Sequence, residues 1–181
     1  MFEVHDGKYL AKLITFYGGG NFEDVLKVIE SSAEKIWLDG SQGVSYGNIN
    51  RIDATESTGD NQLVGNANNN EIRAGSGNNL LWGQGGNDTL FGGSGINTFF
   101  YGLNEGNDVI YNSTLTDKIN LYNVSLSDIV SAKEIGDNFL IEISGGEALR
   151  IVGENGAANF TLSDGSSYTY NRENKTWTQN E

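Results

Sequence analysis

Five apolar side chains recur at a strict interval of nine: Leu63, Ile72, Leu81, Leu90 and Phe99. Nine residues is neither a helical nor a hairpin period, so the chain is constrained to stack short, similar units. Two positions before each stands Asn61, Asn70, Asn79, Asp88 or Asn97, and four before stands Gly59, Asn68, Gly77, Gly86 or Gly95. Each unit therefore reads as a glycine turn, an amide or carboxylate, and a short strand whose middle side chain points inward. LNEGNDVIY at 103–111 repeats the pattern with Gly106, Asp108 and Ile110, after two extra residues, Tyr101 and Gly102. An earlier, looser unit, SYGNINRID, offers Asn50 and Ile52. With 25 glycines and 23 asparagines, the chain has the turn-forming residues such a stack needs.

Composition narrows the function. The 24 acidic and 11 basic residues leave a net charge of −13, which opposes nucleic-acid binding by counterion release. There is no cysteine, and the single histidine is His5, so thiol nucleophiles, disulfides and His/Cys zinc sites are excluded. No spacing singles out a pair of carboxylates for glycosidase work, and no phosphate loop occurs, so a non-catalytic role is expected. No apolar stretch approaches the roughly 18 residues of a membrane helix. The start, MFEVHDGKYLAKL, lacks the basic lead, apolar run and cleavage site of a secretory signal.

The block GQGGNDTLF, followed at once by GGSGINTFF, resembles the nonapeptide G-G-x-G-x-D-x-U-x of the RTX (haemolysin-type calcium-binding) family. The resemblance covers residues 56–111 well and 45–55 loosely. It implies a right-handed parallel β-roll in which two nonapeptides make one coil, so that residues 18 apart stack roughly 4.8 Å from one another. It also implies calcium, a secreted or cell-surface bacterial location, and export by type I secretion as part of a larger protein.

Calcium takes six to eight oxygen ligands, which glycine turns supply as carbonyls while aspartate adds charge. In the family one ion sits between the turns of two vertically adjacent units and takes the aspartate of each. Carried over, one edge of the roll stacks Asn61, Asn79 and Asn97, and the other stacks Asn70, Asp88 and Asp108. The first edge holds no carboxylate at the ligand position, so its amides are expected to bond to one another as an asparagine ladder and to hold calcium weakly or not at all. On the second edge Asp88 and Asp108 are the expected ligands, with carbonyls from Gly83 and Gly85, and Asn70 above Asp88 makes a poorer site. Asp88 and Asp108 lie 20 apart, so Tyr101 and Gly102 must bulge without breaking the stack.

The residue after each inward apolar side chain points out. Val64, Trp82 and Phe100 form one outward column, flanked by Leu80, and Arg73, Phe91 and Tyr111 form the other. Covering of the first column by the flanking segments is one expectation. The alternative is a metal-independent binding or self-assembly module whose exposed aromatic face takes carbohydrate or another copy of the chain.

Flanking the repeats, Asn21 is expected to open a helix with Asp24 in its first turn and Phe22, Val25, Leu26, Ile29 and Ala33 at helical spacing. Downstream, DKINLYNV, NFLIEI, EALRIV, ANFTL and SYTY alternate as hairpin strands, similar to the β-rich segment that often follows RTX repeats. The expected architecture is all-β: an N-terminal strand and helix cap over 1–44, a parallel β-roll over 45–111, and antiparallel strands over 112–181.

Overall fold

The computed structural model describes residues 24–27, 35–37, 49–153, 156 and 158–181. Glycine-rich turns cut the chain into short strands. These are β1 (Asp24–Lys27), β2 (Lys35–Trp37), β3 (Ile49–Asp53), β4 (Gln62–Val64), β5 (Glu71–Arg73), β6 (Leu80–Trp82), β7 (Thr89–Phe91) and β8 (Thr98–Tyr101). β9 (Asn107–Tyr111) and β10 (Lys118–Leu121) continue the series. Strands β3, β5, β7 and β9 lie side by side in one parallel sheet, and β4, β6, β8 and β10 in a second. Two units thus complete one coil and the third lies over the first, with Leu63, Leu81 and Phe99 in register on one side and Ile72, Leu90 and Ile110 on the other. The chain is a parallel β-solenoid.

The middle residue of each three-residue strand faces inward, because alternate side chains leave a strand on opposite faces. Leu63, Leu81, Phe99 and Ile119 from one sheet share a core with Ile52, Ile72, Leu90 and Ile110 from the other, and all are between 0% and 1% exposed. Each contributes about 1.5–3 kcal/mol by leaving water. The insertion at Tyr101 and Gly102 does not disturb the stack. Tyr101 turns inward, fully buried, and its hydroxyl donates to the Gly106 carbonyl at 2.7 Å, while Leu90 stays paired with Ile110.

Two expectations are corrected. Asp24–Lys27 is not helical: β1 pairs in parallel with β3, and β2 pairs in parallel with β4. A lone helix of about 12 residues is marginal in water. The open side of the first coil instead presents unpaired N–H and C=O groups, which an added strand satisfies. The remainder of the expected helix and the expected strand part of the N-terminal cap lie outside the described residues, which before Ile49 are those of β1 and β2.

The second correction is Lys118–Leu121, which is not a hairpin strand. It is a further parallel rung, with Ile119 beside Phe99. Beyond it, β11 (Ile129–Ile135), β12 (Asn138–Ile143) and β13 (Glu147–Ile151) form an antiparallel meander whose last strand returns in parallel onto β9. β14 (Asn159–Thr161) lies in parallel on β10, then β15 (Ser167–Asn171) and β16 (Thr176–Asn180) follow antiparallel. The antiparallel strands therefore extend both sheets of the roll. Among the described residues the one helical turn is Leu126–Asp128, and no helix is long and apolar enough to cross a membrane.

Candidate metal site

The residue two before each inward apolar side chain is buried, and from Asn79 onward its oxygen reaches the backbone of the preceding coil. On the first edge Asn79 Oδ1 accepts from the Asn61 backbone N–H at 3.0 Å, and Asn97 Oδ1 accepts from that of Asn79 at 3.0 Å. Side-chain amides add to this ladder: Asn61 Nδ2 donates to Asn79 Oδ1 and Asn79 Nδ2 to Asn97 Oδ1, each at 3.1 Å. The expected asparagine ladder is present, and both oxygens are committed to hydrogen bonds.

The second edge repeats the backbone contacts with carboxylates. Asp88 Oδ1 accepts from the Asn70 N–H at 2.6 Å, and Asp108 Oδ1 from the Asp88 N–H at 2.9 Å, so the longer spacing keeps the two aspartates in the stack. The second oxygens differ. Asp88 Oδ2 and Asp108 Oδ2 are buried without a hydrogen-bond partner, on residues 1% and 2% exposed. A buried anion without a counter-charge is costly, and its carboxyl holds its proton more tightly. Burial pushes Asp88 up to about 7, against the downward pull of the Asn70 hydrogen bond and with repulsion from Glu105 adding to the rise. Burial, followed by repulsion from Asp88, pushes Asp108 up to about 8.

The other expected site residues are placed unequally. Gly83 belongs to the site: a Cβ there would stand 2.0 Å from Asp88 Oδ2, so only glycine lets the carboxylate lie against the turn. Its carbonyl oxygen and Asn70 Oδ1 both crowd Gly65, 2.4 and 2.2 Å from where a Cβ would be. Gly85 is open, its added Cβ meeting nothing nearer than Ala67 Cα at 3.7 Å. Asn70 is occupied within its own turn, since its Oδ1 accepts from the Asn66 N–H at 2.8 Å and its Nδ2 donates to Asn66 Oδ1 at 3.3 Å. The turn itself needs Gly86, whose φ of +111° is a left-handed conformation that L side chains rarely adopt.

These residues fit a hard cation in charge and donor type. Two unpartnered carboxylate oxygens face no basic side chain among the groups acting on them. Among the described residues no three His, Cys, Asp or Glu side chains converge to hold an ion by themselves. An ion at this edge would draw its remaining oxygens from turn carbonyls and water, which calcium accepts.

The aromatic column is not an exposed row. Val64 is 1% exposed, which corrects its place on an outward ligand face. Its short side chain lies in register beside the larger Trp82, within a sheet that continues on both sides. Trp82, Phe100 and Leu80 are half-buried. Trp82 meets Phe100 tilted at 41° and Tyr122 edge-on at 5.3 Å, so the rings do not present parallel faces. The opposite column closes on itself, with the Arg73 guanidinium 3.8 Å over the Phe91 ring and Phe91 stacked on Tyr111 at 5.1 Å.

Three features escaped the sequence reading. Asp117 ends the asparagine ladder, accepting from the Asn97 N–H at 2.6 Å and the Thr114 N–H at 2.7 Å. An outer ladder runs in the opposite sense: Asn69 Oδ1 accepts from the Asn87 N–H and Asn87 Oδ1 from the Asn107 N–H, both at 2.8 Å. Its signal was the second Asn or Asp directly before each inner one except Asn97, which Ile96 precedes. Glu105 is 6% exposed and accepts from Trp82 Nε1 at 2.8 Å and the Tyr122 hydroxyl at 2.7 Å.

Residues 57–84 and 64–99 match the family model of the RTX calcium-binding nonapeptide repeat, in 4 copies. The matched stretch includes Asp88 and stops short of Asp108. Comparison with curated proteins finds no match.

Proposed function

We propose that this chain is a non-catalytic calcium-binding β-roll module in which Asp88 and Asp108 supply the charged ligands. The observation that carries the reading is the pair of buried, unpartnered Oδ2 atoms on adjacent coils, within or next to repeats of a calcium-binding type. Each aspartate divides its work. Oδ1 holds the preceding coil by accepting from a backbone N–H, and Oδ2 is left for the ion. Bound calcium would supply the positive charge and coordination that this edge lacks. The Asn61, Asn79 and Asn97 edge carries no charge to neutralise, and its Asn79 and Asn97 oxygens already accept from the amides of the neighbouring asparagines.

Saturation at a hundred times the dissociation constant would stabilise the folded chain by about 2.7 kcal/mol, a large share of a domain's margin. Calcium would thus favour folding where it is plentiful and withhold that support where it is scarce. Repeats of this type are typical of secreted bacterial proteins, so the module is read as part of a larger exported protein that folds after type I secretion.

Isothermal titration of the chelator-stripped chain with calcium tests the proposal. We expect saturable binding to the intact chain and none to Asp88→Asn/Asp108→Asn. Equal binding by both would discard the assignment.

A further inference from the structure

β16 ends the second sheet as an edge strand: one side pairs with β15, and no described strand pairs with the other. Such an edge presents unpaired N–H and C=O groups, which proteins protect with charge, proline or a bulge. The other C-terminal edge, β11, is protected in this way. Its register is irregular between Ile129 and Ser131, and Lys133 and Glu134 stand along it, ion-paired to Glu142 and Arg172. β16 has none of these devices. Its five residues, Thr176, Trp177, Thr178, Gln179 and Asn180, are all exposed and uncharged, and its pairing with β15 runs in register from end to end. Trp177 lies opposite the core residue Tyr170 and packs against Phe139 and Phe160, yet it remains 38% exposed.

The charges at the two ends of β16 indicate what fits it. Lys175 and Glu181 flank the strand, both exposed and neither in an ion pair among the described residues. An antiparallel strand of the same sequence, centred on Thr178, meets β16 with Thr178 against Thr178, Trp177 against Gln179, Thr176 against Asn180 and Lys175 against Glu181. Each flanking charge then faces its opposite, and no like charges lie across from one another. The molecule as a whole repels a second copy, with a net charge of −13. Residues 171–181 are locally neutral, because Arg172 and Lys175 balance Glu173 and Glu181.

We propose that β16 is a self-association edge, to which a second copy of this chain adds its own β16 antiparallel about a two-fold axis at Thr178. The interface is isologous, so one patch serves both copies. The second sheet of each roll then continues into that of the other, the free backbone groups of both edges are paired, and the open side of Trp177 meets Gln179 of the second copy. The edge is not built on Asp88 or Asp108 and stands independently of the calcium reading.

Sedimentation equilibrium of the full chain in saturating calcium, from micromolar to millimolar concentration, tests this. Physiological ionic strength screens the distant charges while close pairs still act. The expected result is a monomer–dimer equilibrium. Lys175→Glu and Glu181→Lys each set like charges across both symmetry-related pairs, and each should raise the dimer dissociation constant roughly tenfold. An equimolar mixture of the two variants should associate as the unmodified chain does, because every pair then joins opposite charges. The exchanged variant Lys175→Glu/Glu181→Lys should do so by itself. Both side chains are exposed, so circular dichroism should be the same for all. A chain that stays monomeric at millimolar concentration overturns the proposal, which is also the result expected if another segment of a longer chain occupies the edge. A dimer whose dissociation constant neither reversal moves uses another face and overturns it equally.

Discussion

Replacing Asp88 by asparagine should strengthen the protein in chelator and weaken it in calcium. The folded chain holds the Asp88 carboxyl at about 7 against an ordinary value of 3.8, chiefly because of burial. A folded value above the unfolded one means that stability is fully present below the ordinary carboxylate range and is lost as pH rises through about 7. At pH 8.5 without calcium the ionised group thus costs on the order of 4 kcal/mol, from about three pH units at about 1.4 kcal/mol each. Asn keeps the Oδ1 that accepts from the Asn70 N–H at 2.6 Å, as Asn79 and Asn97 do on the opposite edge. Against this, its amide N–H groups enter a site without acceptors assigned to them, at about 1–3 kcal/mol. The net gain is about 1–3 kcal/mol, or a few degrees in a chain of this size at roughly 2–4 °C per kcal/mol. Thermal melts of the chain and of Asp88→Asn in chelator at pH 8.5, repeated with saturating calcium, measure this directly. The order of the two melting temperatures should invert on adding calcium. A variant that melts lower in both conditions, or that keeps the full calcium shift, refutes the reasoning.

The unmodified chain in chelator should lose stability between about pH 4 and about pH 8 through Asp88 and Asp108, whose folded values of about 7 and about 8 lie above 3.8, and calcium should flatten that decline. Melting temperature against pH checks this; a chelator curve that rises over the same window contradicts the pKa assignment. Gly83→Ala places a methyl 2.0 Å from Asp88 Oδ2 and should destabilise the fold and weaken calcium binding, whereas Gly85→Ala, with nothing nearer than 3.7 Å, should change stability by less than about 1 kcal/mol. Similar denaturation midpoints for the two variants count against the packing of Asp88 on this turn. Asn79→Ala removes the acceptor of the Asn61 backbone N–H and should cost about 1–3 kcal/mol while leaving calcium affinity unchanged. A changed affinity in that variant would place an ion on the asparagine edge.

The strict nine-residue interval made the solenoid legible, because one inward side chain per short strand is a pattern that only stacking satisfies. The same regularity hid what lies off the interval. Asp117 and Ile119 come 20 residues after Asn97 and Phe99, so counting by nine passes over the rung they build. The stretch from Asp24 to Lys27 carries an apolar pattern that serves either a helix or a strand, and the unpaired side of the first coil decided it. At the site, aspartate in the sixth position of its unit pointed to Asp88 and Asp108. Sequence could not show that Asn70 is tied up by Asn66, or that Glu105 reaches back to Trp82. Those facts depend on which side chains the coils bring to one corner. Alternation puts Val64 on the outward side but says nothing of how deeply its neighbours enclose it, and the side chain is 1% exposed.

Crystals of the full chain grown or soaked with calcium give the most direct measurement, read as anomalous difference density along the two edges of the roll. The account predicts a peak among the Asp88 and Asp108 carboxylates and none between Asn79 and Asn97. Density on the asparagine edge, or a bare aspartate edge at saturating calcium, would contradict it.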